Sequence, residues 1–216
     1  MKKKEKNLNP GNYGGTYKVI GGNLCFDFVN TISWRDTDLP HEWLDSLDNL
    51  LIWTQLVKVF DEDQVKKLKT EILNMPNGEE KYLTDLIELR ELLNRIFVAI
   101  IDAKSPSEKD LKIFNQHVSN AYTKNMIVEN KLKFHLEISE KVDLSQRLTD
   151  KIVLSAVEVL TQVKLKRIKK CFSCHWLYED VSRNNSRRWC VMEDCGNRYK
   201  VNQFNKRRKS ENKGSE

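Results

Sequence analysis

Cys171, Cys174, Cys190 and Cys195 follow the spacing C-x2-C-x15-C-x4-C. A two-residue gap lets one tight turn aim the first two thiolates at a single ion, and the second two complete a tetrahedral shell with zinc–sulfur bonds of about 2.3 Å. So short and charged a segment has too little apolar surface to fold without a metal or another staple. The expectation is one structural Zn2+ that folds the last quarter of the chain into a small finger. His175 adjoins Cys174 and would have to displace a cysteine from a full shell. Four thiolates also leave no open position for water, so the site is not expected to be hydrolytic.

This reading depends on a reducing compartment, where thiolates bind metal rather than pair as disulfides. No apolar run approaches the roughly 20 residues needed to cross a bilayer, and MKKKEKNLNP lacks the apolar stretch of a signal peptide. The chain is therefore expected to be cytoplasmic, with no membrane partner. Cys25, apart from the other four in LCFDFVN, reads as a small buried hydrophobe. With 39% hydrophobic and 31% charged residues the chain should fold rather than stay disordered.

The charge is unevenly spread. Residues 151–216 carry 16 basic and 7 acidic side chains, a balance of +9, whereas residues 1–150 stand at −3 within the total of +6. A basic end on an acidic body points to a polyanionic partner, with nucleic acid first.

Upstream of the cysteines the apolar spacing is mostly helical. Residues 1–15 read as a flexible basic arm, and YKVIGG at 17–22 as a short strand closed by a glycine turn. Leu24, Phe28, Val29 and Ile32 favour a helix capped by Asn23, although the alternation of Leu24, Phe26 and Phe28 also suits a strand. Further helices are predicted over 46–60 with Ser46 as cap, 61–74, 79–103 as the central core helix, 107–122 and 143–163. Ser107 and Asp110 resemble a capping box. Period-two patterning from Met126 to Ile138 predicts a hairpin. A second hairpin is expected between the cysteine pairs, from the runs at Trp176–Val181 and Arg187–Trp189, followed by a basic helix after Cys195. The fold class is α+β: a mainly helical N-terminal domain at 16–163 with a small β component, then a small four-cysteine zinc finger at 164–216 made of knuckle, hairpin and terminal helix.

The stretch Cys171–Lys200, with SRNNSRRWC at 182–190 and Cys195-Gly196-Asn197-Arg198-Tyr199-Lys200, resembles the CGNR-type zinc finger. GGNLCFDFVNT at 21–31 is similar to the opening motif of the ABATE domain, which usually accompanies that finger in stress-induced transcription regulators of bacteria. The resemblance implies that the four cysteines are the zinc ligands and that the protein binds DNA.

Arg183, Arg187, Arg188 and Arg198, with Lys200, Lys206, Arg207, Arg208 and Lys209, are the candidate nucleic-acid contacts, since arginine can fork onto a phosphate or onto guanine. Arg187, Arg188 and Arg198 could instead bond the finger's own carbonyls. The leading expectation is a DNA-binding regulator whose N-terminal domain senses a ligand or forms a homodimer. The alternative is a finger that binds RNA or protein. An enzyme is not expected: there is no Ser, His and Asp set, no glycine-rich phosphate loop and no HExxH, and His41, His117 and His135 are scattered.

Overall fold

The computed structural model describes residues 7–13, 15–139 and 141–213, with 206–213 described by their backbone. Six helices build the N-terminal part: α1 (Leu24–Val29), α2 (Leu47–Leu56), α3 (Glu62–Leu73), α4 (Gly78–Ile101), α5 (Glu108–Tyr122) and α6 (Leu144–Gln162). α4 is the central element and buries Leu86, Leu89, Leu93, Ile96 and Phe97. α1, α3 and α5 pack against both α4 and α6, and α2 packs against α3. The helical spacing read from the sequence thus matches the elements formed, including the helix chosen for α1, except that α1 ends at Val29 and Ile32, expected on its face, lies in a strand. Among the described residues no helix is long and apolar enough to cross a membrane.

The helix starts follow local chemistry. Ser46 accepts from the Asn49 amide, Asp61 and Gln64 form a reciprocal capping box, and Ser107 accepts from the Asp110 amide. The Asp110 carboxylate does not close a second box; it pairs with Arg95 at 2.7 Å. α4 begins after Asn77, which takes a left-handed conformation at φ 51°. A Cβ on Gly78 would lie 1.8 Å from the Ile72 carbonyl oxygen, so only glycine lets the turn fold back onto α3.

Two small ribbons join this bundle. β1 (Ile32–Ser33) pairs antiparallel with β2 (His41–Glu42), bringing Trp43 to a hydrogen bond with Ser33 at 2.9 Å. β3 (Asn125–Asn130) and β4 (Lys133–Ile138) form the expected hairpin. Lys131 and Leu132 turn it with positive φ values of 53° and 62°, which suits a two-residue loop between twisted strands. Ile138 is buried at its base, while Ile127, Phe134 and Leu136 are exposed.

Near the N-terminus, two further sequence expectations do not match the fold. Residues 17–22 form no strand, because the Asp27 carboxylate takes the Ile20 and Gly21 amides that a ladder would need, at 2.9 and 2.7 Å. The segment 7–13 is not a free arm. Leu8 is 3% exposed, Asn49 exchanges hydrogen bonds with the Asn9 backbone, and Tyr13 stacks on His41 with centroids 4.2 Å apart. Residues 1–6 and 14 of the expected arm lie outside the described residues.

The core also holds a charge. Arg90, on α4, is 2% exposed and forks onto Glu42 at 2.7 and 2.6 Å, while its Nε reaches Glu91 at 3.0 Å. Glu91 in turn pairs with Arg35. Burial disfavours the guanidinium, but the Glu42 hydrogen bonds outweigh it and keep Arg90 firmly charged.

Candidate metal centre

The finger starts one strand before its first cysteine. β5 (Ile168–Lys170) runs into Cys171, the chain turns through Cys174 and His175, and β6 (Leu177–Glu179) returns antiparallel to β5. The knuckle is closed by the His175 amide on the Cys171 carbonyl at 3.1 Å and by the Cys171 amide on the Trp176 carbonyl at 2.9 Å. His175 sits at φ 65°, the left-handed position that reverses the chain. Its Nδ1 lies 3.0 Å from the Asp36 carboxylate, which places its ring beside the N-terminal part.

This corrects the hairpin expected between the cysteine pairs. β6 pairs backward with β5, and residues 187–189 form no strand. The Phe172 amide bonds the Arg188 carbonyl at 3.1 Å, but no ladder follows. Between β6 and Cys190 the loop wraps a buried carboxylate: Asp180 accepts from the Ser182 and Arg187 amides at 3.0 and 2.9 Å. Burial alone would raise the Asp180 pKa, yet these hydrogen bonds hold it below the usual carboxylate range. A turn at Met192–Gly196 then carries Cys195, and α7 (Asn197–Lys213) follows directly.

Cys171, Cys174, Cys190 and Cys195 are all buried, with sulfurs within 4.8 Å of one another. Cys174 and Cys190 are 3.5 Å apart, and Cys190 and Cys195 3.6 Å. A tetrahedron of zinc–sulfur bonds about 2.3 Å long has edges of about 3.8 Å, so this spacing fits one ion. It is far from the roughly 2.05 Å of a disulfide. Without a cation the crowded thiols are driven apart in acidity: hydrogen bonds from its neighbours lower Cys171, while sharing protons with Cys171 raises Cys174 and Cys190. A divalent cation lets all four ionise together. The four cysteines therefore hold one structural zinc. Cys25 is elsewhere, fully buried, with its thiol pushed up to about 12 by burial, and is inert as expected.

The finger is joined to the N-terminal part through residues of the GGNLCFDFVNT segment. The Asn30 side chain takes both backbone groups of Leu177, accepting at 2.7 Å and donating at 2.8 Å, and so acts as a neighbouring strand would. The Glu179 amide donates to the Gly21 carbonyl at 3.1 Å, and Asn23 donates to the Glu179 carboxylate at 3.1 Å. The Trp176 indole donates to the Ile32 carbonyl at 2.9 Å. Asn23, expected as a helix cap, makes no side-chain cap bond. Nothing in the sequence pattern marks these contacts, although most of them fall within the motif that carries the resemblance.

The predicted nucleic-acid contacts separate into four groups. Arg187 faces inward: it bonds the Trp189 and Cys190 carbonyls and covers the Tyr178 ring at 4.6 Å. Arg188 and Arg198 are exposed, stacked over Phe172 at 4.8 Å and Trp34 at 4.9 Å respectively. Arg183 and Lys200 lie on the loop and on α7, and both are exposed. Lys206, Arg207, Arg208 and Lys209 lie on α7, but their side chains fall outside the described residues.

A family model for ABATE, described as "Putative stress-induced transcription regulator", matches residues 22–163. A second, for the CGNR zinc finger, matches residues 167–208. No curated protein matches the chain. With the first match covering the helical body and the second falling on the four-cysteine site, the chain belongs to the ABATE family and carries a CGNR zinc finger.

Proposed function

We propose that this protein is a zinc-dependent DNA-binding regulator of a bacterial stress response, acting in the cytoplasm. One observation carries the reading. α7 leaves the zinc site directly, and over residues 197–210 it holds six basic and no acidic residues. Its Tyr199 packs against Trp189, but Arg198, Lys200, Val201 and Phe204 are exposed, so the helix leaves the core and its basic residues are free to meet a polyanion. Arg183, Arg188, Arg198 and Lys200 extend the basic surface on the finger itself, whereas Arg187 shapes the loop that presents them. A two-fold target would be read by two copies of the chain, with the exposed apolar side chains of the β3–β4 ribbon as their contact. The reading assigns the protein no reaction, because a closed thiolate shell builds a scaffold.

The test is binding of zinc-loaded protein to fragments of the organism's own DNA across a salt series. The logarithm of the affinity should fall linearly with log salt, by about 0.9 per phosphate contacted. Arg198→Ala and Lys200→Ala should each reduce that slope by about one. Absence of binding at low salt sinks the proposal. Tighter binding to RNA, or to captured protein under the same salt, moves the function to the alternative class.

A further inference from the structure

An interhelical cleft of the N-terminal part lies between α4, α5 and α6 and holds about 730 Å³. This is within the usual range for a small-molecule site. Leu86, Leu89 and Leu92 of α4, with Ile113 of α5, give it an apolar wall. Its walls are held in place: the buried Tyr82 hydroxyl donates to the Ser145 carbonyl at 2.7 Å, and the Glu71 carboxylate fixes the first turn of α6.

Asp150 lines this cleft from α6 and is 1% exposed. One of its oxygens accepts from the Gln146 amide at 2.7 Å, and the other has no hydrogen-bond partner. Lys124 and His117 act on it electrostatically but donate nothing to that oxygen. A buried carboxylate oxygen left without a donor is costly, and here the residue that carries it lines a cavity.

The other charges around the cleft are mostly spoken for. Arg95 is paired with Asp110, Asp85 with Lys81, and Glu91 with Arg35 and Arg90. That leaves Glu88 and Asp150 against Lys109, with His117 held towards its neutral form by burial, an acidic balance over an apolar wall. We infer that this cleft binds a small organic ammonium ion with an apolar body, its N–H donating to the free oxygen of Asp150. An anion would meet the buried carboxylate, and a neutral ligand would bring it no further positive charge.

The site is independent of whether α7 binds DNA, and it can be tested on the full zinc-loaded chain alone. The probes are 2-phenylethylammonium, its neutral analogue 2-phenylethanol and the anionic 3-phenylpropanoate, titrated by calorimetry and by ligand-observed NMR. The ammonium ion should bind at least about ten-fold more tightly than either analogue, the scale of a hydrogen bond to a charged group. Asp150→Asn should remove that preference, while Glu88→Gln at the rim should keep it. Because the asparagine amide is uncharged in the same shape, the unliganded Asp150→Asn variant should melt no lower than the wild type. Equal binding of all three probes, no binding of the ammonium ion, an undiminished preference in Asp150→Asn, or a lowered melting temperature for that variant would each overturn the inference.

Discussion

Asp27 is buried where the opening loop meets α1, and its carboxylate holds the amides of Ile20 and Gly21. Burial pushes its pKa up to about 6, and the two amides only partly oppose the shift. Between about pH 4 and pH 6 the native state therefore keeps a proton that the unfolded chain has released, so stability is greatest on the acid side and falls as pH rises through 6. Measured against Asp27→Asn, in which the zinc shell is unchanged and cancels, wild-type unfolding free energy should drop by about 1.4 kcal/mol between about pH 5 and pH 7.5. A difference that does not vary with pH would show that Asp27 is not the titrating group. At the metal site each sulfur is one of four corners, and among the described residues no other ligand joins the cluster. Cys174→Ser or Cys190→Ser should lower zinc content from one per chain to none, by metal analysis, and unfold the finger by circular dichroism.

Among the elements, α6 shows where local reading ends. Asp143 precedes it as a cap would, but makes no side-chain bond to it. Glu71 of α3 caps it instead, accepting from the Leu144 and Ser145 amides at 2.9 and 3.0 Å and from the Ser145 hydroxyl. Glu71→Ala should cost about 2 kcal/mol in denaturant unfolding, whereas Asp143→Ala should cost less than about 0.5 kcal/mol. The reverse order would return the cap to Asp143. Helix periodicity was legible because each apolar stripe is contained within its own segment. A cap supplied from 73 residues away was not. The same holds for β5: Ile168-Lys169-Lys170 sits in a basic run that reads as charge, and only the fold shows it pairing with β6. Arg90 was equally hidden, since one arginine in an amphipathic helix reads as solvated until Glu42 is brought over it from β2. The four cysteines were legible because their chemistry depends on spacing within about 25 residues, which the sequence displays directly.

At the scale of the whole molecule, the two family regions are joined through the segment that opens the first of them. Gly21, Asn23 and Asn30 bond to β6, Trp176 reaches the Ile32 carbonyl and packs near Tyr17 with centroids 5.6 Å apart, and Lys18 pairs with Asp194 beside the last zinc ligand. Zinc therefore orders a strand that is also part of the N-terminal core, and metal binding should stabilise residues that touch no sulfur. Adding a chelator should lower the unfolding temperature of the entire chain, with tryptophan fluorescence and far-ultraviolet circular dichroism moving together. Asn30→Ala leaves the amide and carbonyl of Leu177 buried without partners, at a cost of about 3 kcal/mol. It should split the transition in two, the finger releasing zinc first while the helical part melts later and independently of chelator. If chelation leaves the helical part's midpoint unchanged in the wild type, the joint is mechanical contact without coupling. If both signals fall together, whatever binds the helical body can bias the finger and α7 through Asn30, a coupling of the kind a regulator requires.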